Sequence, residues 1–188
     1  DVLRNNTNDI IGKRSFSKSN LVVSDLGEIT INECHANKIV TVIKHIPGHG
    51  CSSIDSHKEM PKVNLDIRAL NKIDFYPFKS TYSKLAMTAH ILYSKIDSKN
   101  VSTFSKKIIN EIIRKKIGFK GILISDDISM KALKYDLITN AKKSLLAGCN
   151  LVLYCAGNIK NNFKLIKSVP YIDQFTAKKT SEIYKILR

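Results

Sequence analysis

The strongest fold signal in this sequence is the segment Gly118-Phe119-Lys120-Gly121-Ile122-Leu123-Ile124-Ser125-Asp126-Asp127. Its centre, residues 121–124, is a short apolar run typical of a strand that is buried on both faces of a parallel sheet. Gly118 stands where a helix C-cap needs a residue that tolerates positive φ. The segment therefore predicts a helix that leads into a buried strand, with Asp126 at the carboxyl end of that strand.

The same pattern recurs on both sides of this segment. Apolar runs at 39–43, 85–88 and 150–154 predict three more strands. Helical spacing of apolar residues predicts helices within 101–117, 133–146 and 175–187, and more weakly within 19–35. Strands that alternate with helices predict an α/β fold with a parallel sheet. No repeat or low-complexity linker divides the chain, so we expect a single domain.

Polar residues follow three of the predicted strands directly. Lys44-His45, His90 and Ser125-Asp126 each come where an apolar run stops. Because the carboxyl ends of parallel strands meet at one edge of a sheet, these side chains are expected to lie together. The sequence therefore predicts a functional site at this edge.

The stretch from Lys44 to His57 holds one lysine, three histidines and an aspartate. His45 and His49 have the i, i+4 spacing of a helical zinc site. Pro47-Gly48 lies between them, however, which disfavours a regular helix, and the HExxH pattern is absent. We therefore predict no metal.

Aspartates in this stretch and after the predicted strand at 121–124 have alternative interpretations. Asp55 and His57 are two residues apart, so an extended segment places both on one side as an acid–base dyad, whereas an Asx turn with an exposed His57 explains the spacing equally well. A helix is predicted to start at residues 128–130, and its cap is assigned to Asp127 or Ser129. Asp126 is then left as a candidate nucleophile.

The composition limits the function classes. The chain has 188 residues, 43% of them apolar and 25% charged, and no apolar run long enough to span a membrane. The net charge of +15 is spread over stretches that also read as helices, which favours solvated helix faces over a nucleic-acid site.

The four cysteines form no CxxC pair, which indicates neither zinc nor disulfides and is typical of a reducing cytoplasm. Cys51, beside the histidines, is interpreted as a small apolar residue.

Several of these motifs together resemble a known family. Lys44-His45-Ile46-Pro47-Gly48-His49-Gly50, followed after four residues by Asp55-Ser56-His57, resembles the signature loop of family 3 glycoside hydrolases of the bacterial β-N-acetylglucosaminidase (β-hexosaminidase) type. The resemblance continues through residues 11–16, 87–90, 118–130 and 147–150, so it covers most of the chain.

The resemblance implies a fold and an activity. It implies a (β/α)8 TIM barrel, with residues 1–188 forming one partial catalytic domain from the C-terminal part of the barrel. The implied reaction is retaining hydrolysis of terminal β-linked N-acetylglucosamine from peptidoglycan-derived muropeptides or related glycosides, in the cytoplasm and without metal or cofactor.

The resemblance also implies residue roles. Asp126 is the nucleophile that forms a glycosyl-enzyme intermediate, and His57, oriented by Asp55, is the acid and base. Arg14, Lys44 and His45 hold the sugar. A loop that carries the acid can also move with the substrate, and Gly48 and Gly50 are expected to supply the freedom for this movement.

The chain also departs from the family pattern. A barrel of this type needs about 250 residues, so the first strands, and an acidic residue that contacts the sugar, are expected in a missing N-terminal half. Two alternative hypotheses remain: an inactive or sugar-binding remnant of such an enzyme, and a basic nucleic-acid-binding protein.

Overall fold

The structure, a computed structural model, describes residues 1–56, 59–79 and 81–188. Its centre is a four-stranded sheet in which every pair of neighbours is parallel. The order of the strands in this sheet is β1-β3-β5-β6, and β2 pairs with β4 in a separate parallel ladder. The strands are β1 Val42–Ile46, β2 Lys62–Val63, β3 Leu85–Thr88, β4 Leu92–Tyr93, β5 Ile122–Asp127 and β6 Leu151–Leu153. The predicted α/β architecture is thus confirmed.

Helices precede, connect and follow the strands of the main sheet. They are α1 Asn20–Ala36, α2 Ile67–Lys72, a π-helix Ile108–Ile117, α3 Leu137–Ala147, α4 Ile159–Ser168 and α5 Gln174–Tyr184, with short 3-10 turns at Gly12–Arg14, Tyr76–Phe78 and Ser102–Phe104. Each α-helix begins after a Ser, Asp or Asn whose side chain accepts a backbone N–H of the first turn, namely Ser19, Asp66, Asp136, Asn158 and Asp173. These caps satisfy N–H groups that have no partner within the helix. None of the helices in the described ranges is long and apolar enough to cross a membrane.

The π-helix provides much of the core. Five of its isoleucines are buried: Ile108, Ile109, Ile112, Ile113 and Ile117. They pack in one cluster with buried residues of both sheets, of α2 and of the turn that follows it, including Leu70, Phe75, Ala86, Tyr93 and Leu123. The helix stops at Gly118, whose φ of 83° lies in the left-handed region, as the sequence predicts.

The first predicted strand is displaced along the chain. It was expected at 39–43, but β1 covers Val42–Ile46 and so contains Lys44 and His45. The chain is still leaving α1 at Lys38, which has φ 60°, and at Ile39, whose N–H donates to the Cys34 carbonyl. The β-branched run at 39–43 therefore starts in the segment that leaves α1. Strand propensity alone does not distinguish this segment from the strand that follows it.

The helix predicted to start at residues 128–130 is wrong. Turns follow β5, and α3 starts only at Leu137, after its cap Asp136. Asp127 does act as a local cap, since its carboxylate accepts the Ser129 N–H at 3.0 Å and the Ser129 hydroxyl at 2.7 Å. This is an Asx-type turn and not a helix start, and Asp126 takes no part in it.

Candidate active site

His45 occupies an irregularity in β1. Lys44 pairs with Met87, and the next pairing joins Ile46 with Thr88, so His45 is an extra residue on β1. The peptide bonds Lys44–His45 and Ile46–Pro47 are both cis. An extra residue of this kind changes the direction in which a side chain points, and such bulges are frequent next to active sites.

Asp126 occupies a similar irregularity in β5. Ile124 pairs with Leu151 and Asp127 pairs with Leu153. The segment of β5 between these two pairings is therefore one residue longer than the segment of β6 opposite it. The Asp126 side chain is 17% exposed and its Oδ1 accepts the Asp127 N–H at 2.8 Å. The sheet therefore presents the Asp126 carboxylate near the carboxyl end of β5, one of its two inner strands, in partial contact with solvent.

The two irregular positions bring His45 and Asp126 together. His45 Nε2 lies 3.8 Å from Asp126 Oδ2. The other ring nitrogen, Nδ1, lies 2.8 Å from Asp1 Oδ2. An imidazole thus stands between two carboxylates, with a hydrogen bond on one side and a longer gap on the other.

Burial keeps the histidines of this site neutral. Desolvation lowers the pKa of His45 from 6.5 to about 4, against the opposing effect of the Asp126 charge. Desolvation and the neighbouring His45 lower the pKa of His49 to about 4 as well. The two rings lie 5.5 Å apart in an edge-on arrangement. At neutral pH Asp126 therefore faces an uncharged imidazole and not an imidazolium.

The turn after β1 is held by buried contacts. The buried Tyr93 hydroxyl donates to the Gly48 carbonyl at 2.5 Å, and Asp74 beneath the turn forms an ion pair with Arg4. A Cβ on Gly48, whose φ is 141°, would lie 2.7 Å from Asp74 Cβ, and one on Gly50 would meet the backbone of the N-terminal segment. Both glycines are therefore needed for close packing at the turn, and the expectation that they let the loop move stays a prediction.

Arg14 and Lys44 lie on the flank of β1. Both are exposed, and together with Asp1 they line a cavity of about 350 Å³ between β1 and α1. Asp126 is not among the described residues that line it. The three predicted sugar-binding residues therefore lie in two places. His45 faces Asp126, whereas Arg14 and Lys44 line the neighbouring cavity. Asp1 contacts His45 and also lines the cavity.

His90, the second histidine at a strand end, already has partners for both ring nitrogens. Its Nδ1 lies 2.7 Å from Thr103 Oγ1 and its Nε2 lies 3.1 Å from the Asp127 carbonyl oxygen. The side chain is fully buried, and burial lowers its pKa. His90 therefore joins the ends of β3 and β5 and supports the strand that carries Asp126.

The predicted acid–base dyad is described only in part. Asp55 is half-buried in the loop and its carbonyl accepts the Glu59 N–H, whereas His57 lies outside the described residues.

No group of three or more His, Cys, Asp or Glu in the described part of the chain could hold a metal ion. Burial raises the pKa of the Cys51 thiol, which packs against the core; this agrees with its interpretation as an apolar residue.

Asp1 is the site residue that the sequence did not reveal. Its carboxylate also accepts the backbone N–H of His45 and of His49. It precedes the first predicted element and no local pattern marks it, so only its place in the fold connects it with residues more than forty positions away.

The sequence of this chain is similar to that of a known enzyme family. Residues 1–181 match the family described as glycosyl hydrolase family 3 N terminal domain. A β-hexosaminidase of Actinobacillus succinogenes is 34% identical over 87% of this chain and 50% of its own length. A β-hexosaminidase of Nitrosomonas eutropha is 36% identical over 78% of this chain and 43% of its own length.

A solved structure gives the same result for the fold. The structure of NagZ from Neisseria gonorrhoeae in complex with N-trifluoroacetyl-D-glucosamine superposes with a TM-score of 0.85 and 27% identity over 97% of this chain and 54% of that one. The predicted fold, part of a TIM barrel, is confirmed by this similarity. The chain spans about half the length of the curated relatives that it matches.

Proposed function

Because this chain belongs to the glycosyl hydrolase family 3 N-terminal domain family, we propose that the protein containing it hydrolyses terminal β-linked N-acetylglucosamine with retention of configuration. The observation that carries the proposal is the position of Asp126. It is a partly exposed carboxylate at the bulged end of β5, beside a histidine that burial keeps neutral. The names of the two curated relatives, β-hexosaminidases, support the reaction class.

In the first step Asp126 attacks the anomeric carbon of the sugar. A carboxylate oxygen forms the new C–O bond while the glycosidic C–O bond breaks, and the departing oxygen takes a proton from His57. Because burial keeps His45 neutral, no imidazolium beside Asp126 competes with the anomeric carbon for the carboxylate oxygen.

In the second step water releases the sugar. Neutral His57 takes a proton from the water molecule, whose oxygen attacks the anomeric carbon as the bond to Asp126 breaks. Histidine suits both steps, since its ordinary pKa of about 6.5 allows it to give and to recover a proton near neutral pH. Asp55, two residues before His57, is proposed to orient the ring, and no metal or cofactor takes part.

Substrate binding is assigned to Arg14, Lys44 and His45. The two cationic side chains line one cavity next to the site, where they can donate hydrogen bonds to hydroxyl and N-acetyl oxygens. His45 faces the same region as the nucleophile. We propose that residues outside this chain complete the pocket, as the relatives are about twice as long.

The natural substrate and the compartment are further parts of the proposal. We propose muropeptides derived from peptidoglycan as the source of the sugar and the cytoplasm as the location. All four cysteines are free, which is compatible with a reducing compartment.

The test is hydrolysis of a chromogenic N-acetylglucosaminide by the protein at its natural length. Asp126→Asn is expected to lower turnover by at least about 10³-fold, and His57→Ala by about 10²–10⁴-fold. Asp127→Asn is the matched control, since asparagine also forms Asx turns, and it should keep most of the activity. A chelator should change nothing.

Two outcomes would contradict the proposal. Normal turnover by Asp126→Asn would show that the nucleophile is another group. Saccharide binding without product release by the wild-type protein would favour the sugar-binding remnant instead.

A further inference from the structure

The Asp1 carboxylate organises the two histidines of the site. Its side chain is only 5% exposed. Oδ2 accepts the His45 backbone N–H at 3.1 Å and lies 2.8 Å from His45 Nδ1, and Oδ1 accepts the His49 backbone N–H at 2.7 Å. One buried carboxylate thus fixes the end of β1, the following turn and one imidazole ring.

These contacts determine which nitrogen of His45 carries the proton. An ionised carboxylate only accepts hydrogen bonds, so the 2.8 Å contact requires a hydrogen on Nδ1. Since burial keeps the ring neutral, Nε2 then has a lone pair and no hydrogen.

The unprotonated nitrogen points to the nucleophile. Nε2 and Asp126 Oδ2 are both acceptors, and their separation of 3.8 Å is too long for a hydrogen bond. Two acceptors that face each other at the edge of a site leave room for a donor from a ligand, and a sugar hydroxyl is such a donor.

We propose that Asp1 is a positioning residue that holds His45 in the Nδ1–H tautomer, so that Nε2 accepts a hydrogen bond from a hydroxyl of the sugar bound at Asp126. The sugar rests on the proposed function, whereas the tautomer does not. The site thereby selects a glycone with a hydroxyl donor at this position, and it discriminates against sugars in which that hydroxyl is missing or replaced by fluorine.

The tautomer can be measured without turnover. In protein labelled with ¹⁵N-histidine, the His45 signals at neutral pH are expected to show a protonated Nδ1 and an unprotonated Nε2. His45→Gln identifies the signals by their loss. A protonated Nε2 in the wild-type protein would overturn the proposal.

The kinetic test combines Asp1→Asn with monodeoxy N-acetylglucosaminides that lack the 3-, 4- or 6-hydroxyl. Asp1→Asn is expected to lower kcat/KM by about 10- to 100-fold, mostly through a higher KM, because the hydrogen bond exists in ground and transition states alike. One deoxy sugar should be a poor substrate for the wild-type enzyme, and its relative disadvantage should shrink in Asp1→Asn.

Asp74→Asn is the matched control. Asp74 is also a buried carboxylate under the turn, but it pairs with Arg4 instead of His45. A role in stability alone predicts that both variants keep the full wild-type discrimination between natural and deoxy sugars, which would refute the proposal. If the wild-type enzyme cleaves no N-acetylglucosaminide, the proposed function fails, and the ¹⁵N measurement still decides the tautomer.

Discussion

At the scale of single residues, the site is defined by polar groups that the fold has removed from water. His45, His49 and His90 are all buried, and burial lowers the pKa of each. A neutral imidazole keeps one nitrogen that can accept a hydrogen bond, whereas both nitrogens of an imidazolium are donors. The same burial makes these histidines a source of pH-dependent stability.

The sign of that dependence follows from the direction of the shifts. An unfolded histidine titrates near 6.5 and folded His45 and His49 near 4. Between these values the unfolded chain binds more protons, so the free energy of unfolding should fall as the pH drops from about 6.5 to about 4. The loss at pH 5 relative to pH 7 should be about 2 kcal/mol for each ring.

Urea unfolding at the two pH values measures this loss. His49→Gln should reduce the difference between pH 7 and pH 5, even though its stability at pH 7 is lower. His35→Gln, a change at a more exposed ring, should alter the difference less. An unchanged difference in His49→Gln would mean that His49 does not titrate between these values.

His90 should matter for stability through its two hydrogen bonds. His90→Leu removes the donor to the Asp127 carbonyl and the partner of Thr103, and it leaves polar groups buried. We expect a loss of about 2–3 kcal/mol in the free energy of unfolding. His90→Gln keeps an amide donor and should lose less; equal losses in the two variants would show that packing, and not hydrogen bonding, is the cause.

At the scale of elements, the strands were predictable to different degrees. Residues 85–88 were predicted with the bounds that β3 has, because the run is apolar and ends at polar residues. The irregularities at His45 and Asp126 were not predictable, since register depends on the neighbouring strand and not on local propensity. Asp126 could still be found from its place after a strand, whereas Asp1 is linked to the site only by tertiary contacts.

Two glycines provide an element-scale test with opposite expected signs. Gly118 ends the π-helix with φ 83°, so Gly118→Ala should cost about 1 kcal/mol. Gly27 lies inside α1 with open space where a Cβ would stand, so Gly27→Ala should stabilise the protein by about 0.5–1 kcal/mol. Chemical denaturation of both variants measures the pair, and a destabilising Gly27→Ala would contradict the helical environment of that residue.

At the scale of the whole molecule, the sheet has two open sides. β1 and β6 stand at the ends of the strand order, and Leu151 on β6 is 39% exposed. The helix that follows β6 along the chain, α4, shows an apolar face to solvent, with Ile159 at 68%, Phe163 at 61% and Ile166 at 72% exposure. We propose that further βα units outside these 188 residues cover both sides and complete the barrel.

This proposal predicts how the 188-residue segment behaves when it is produced alone. The exposed apolar face of α4 should bind a hydrophobic dye and cause the segment to self-associate. Repulsion between copies that each carry a net charge of +15 should oppose this self-association at low ionic strength. Light scattering should therefore show a mass above 21.2 kDa that increases with salt, because salt screens the repulsion between copies.

Variants of α4 separate the apolar face from the effect of charge. Ile166→Lys removes an exposed apolar side chain and adds a charge, and it should reduce both association and dye binding. Asn162→Lys adds the same charge on the same helix without removing apolar surface, so it should reduce association only at low salt. A segment that stays monomeric at all salt concentrations and binds no dye would show that these sides need no cover, because the exposed area would then be too small to drive association.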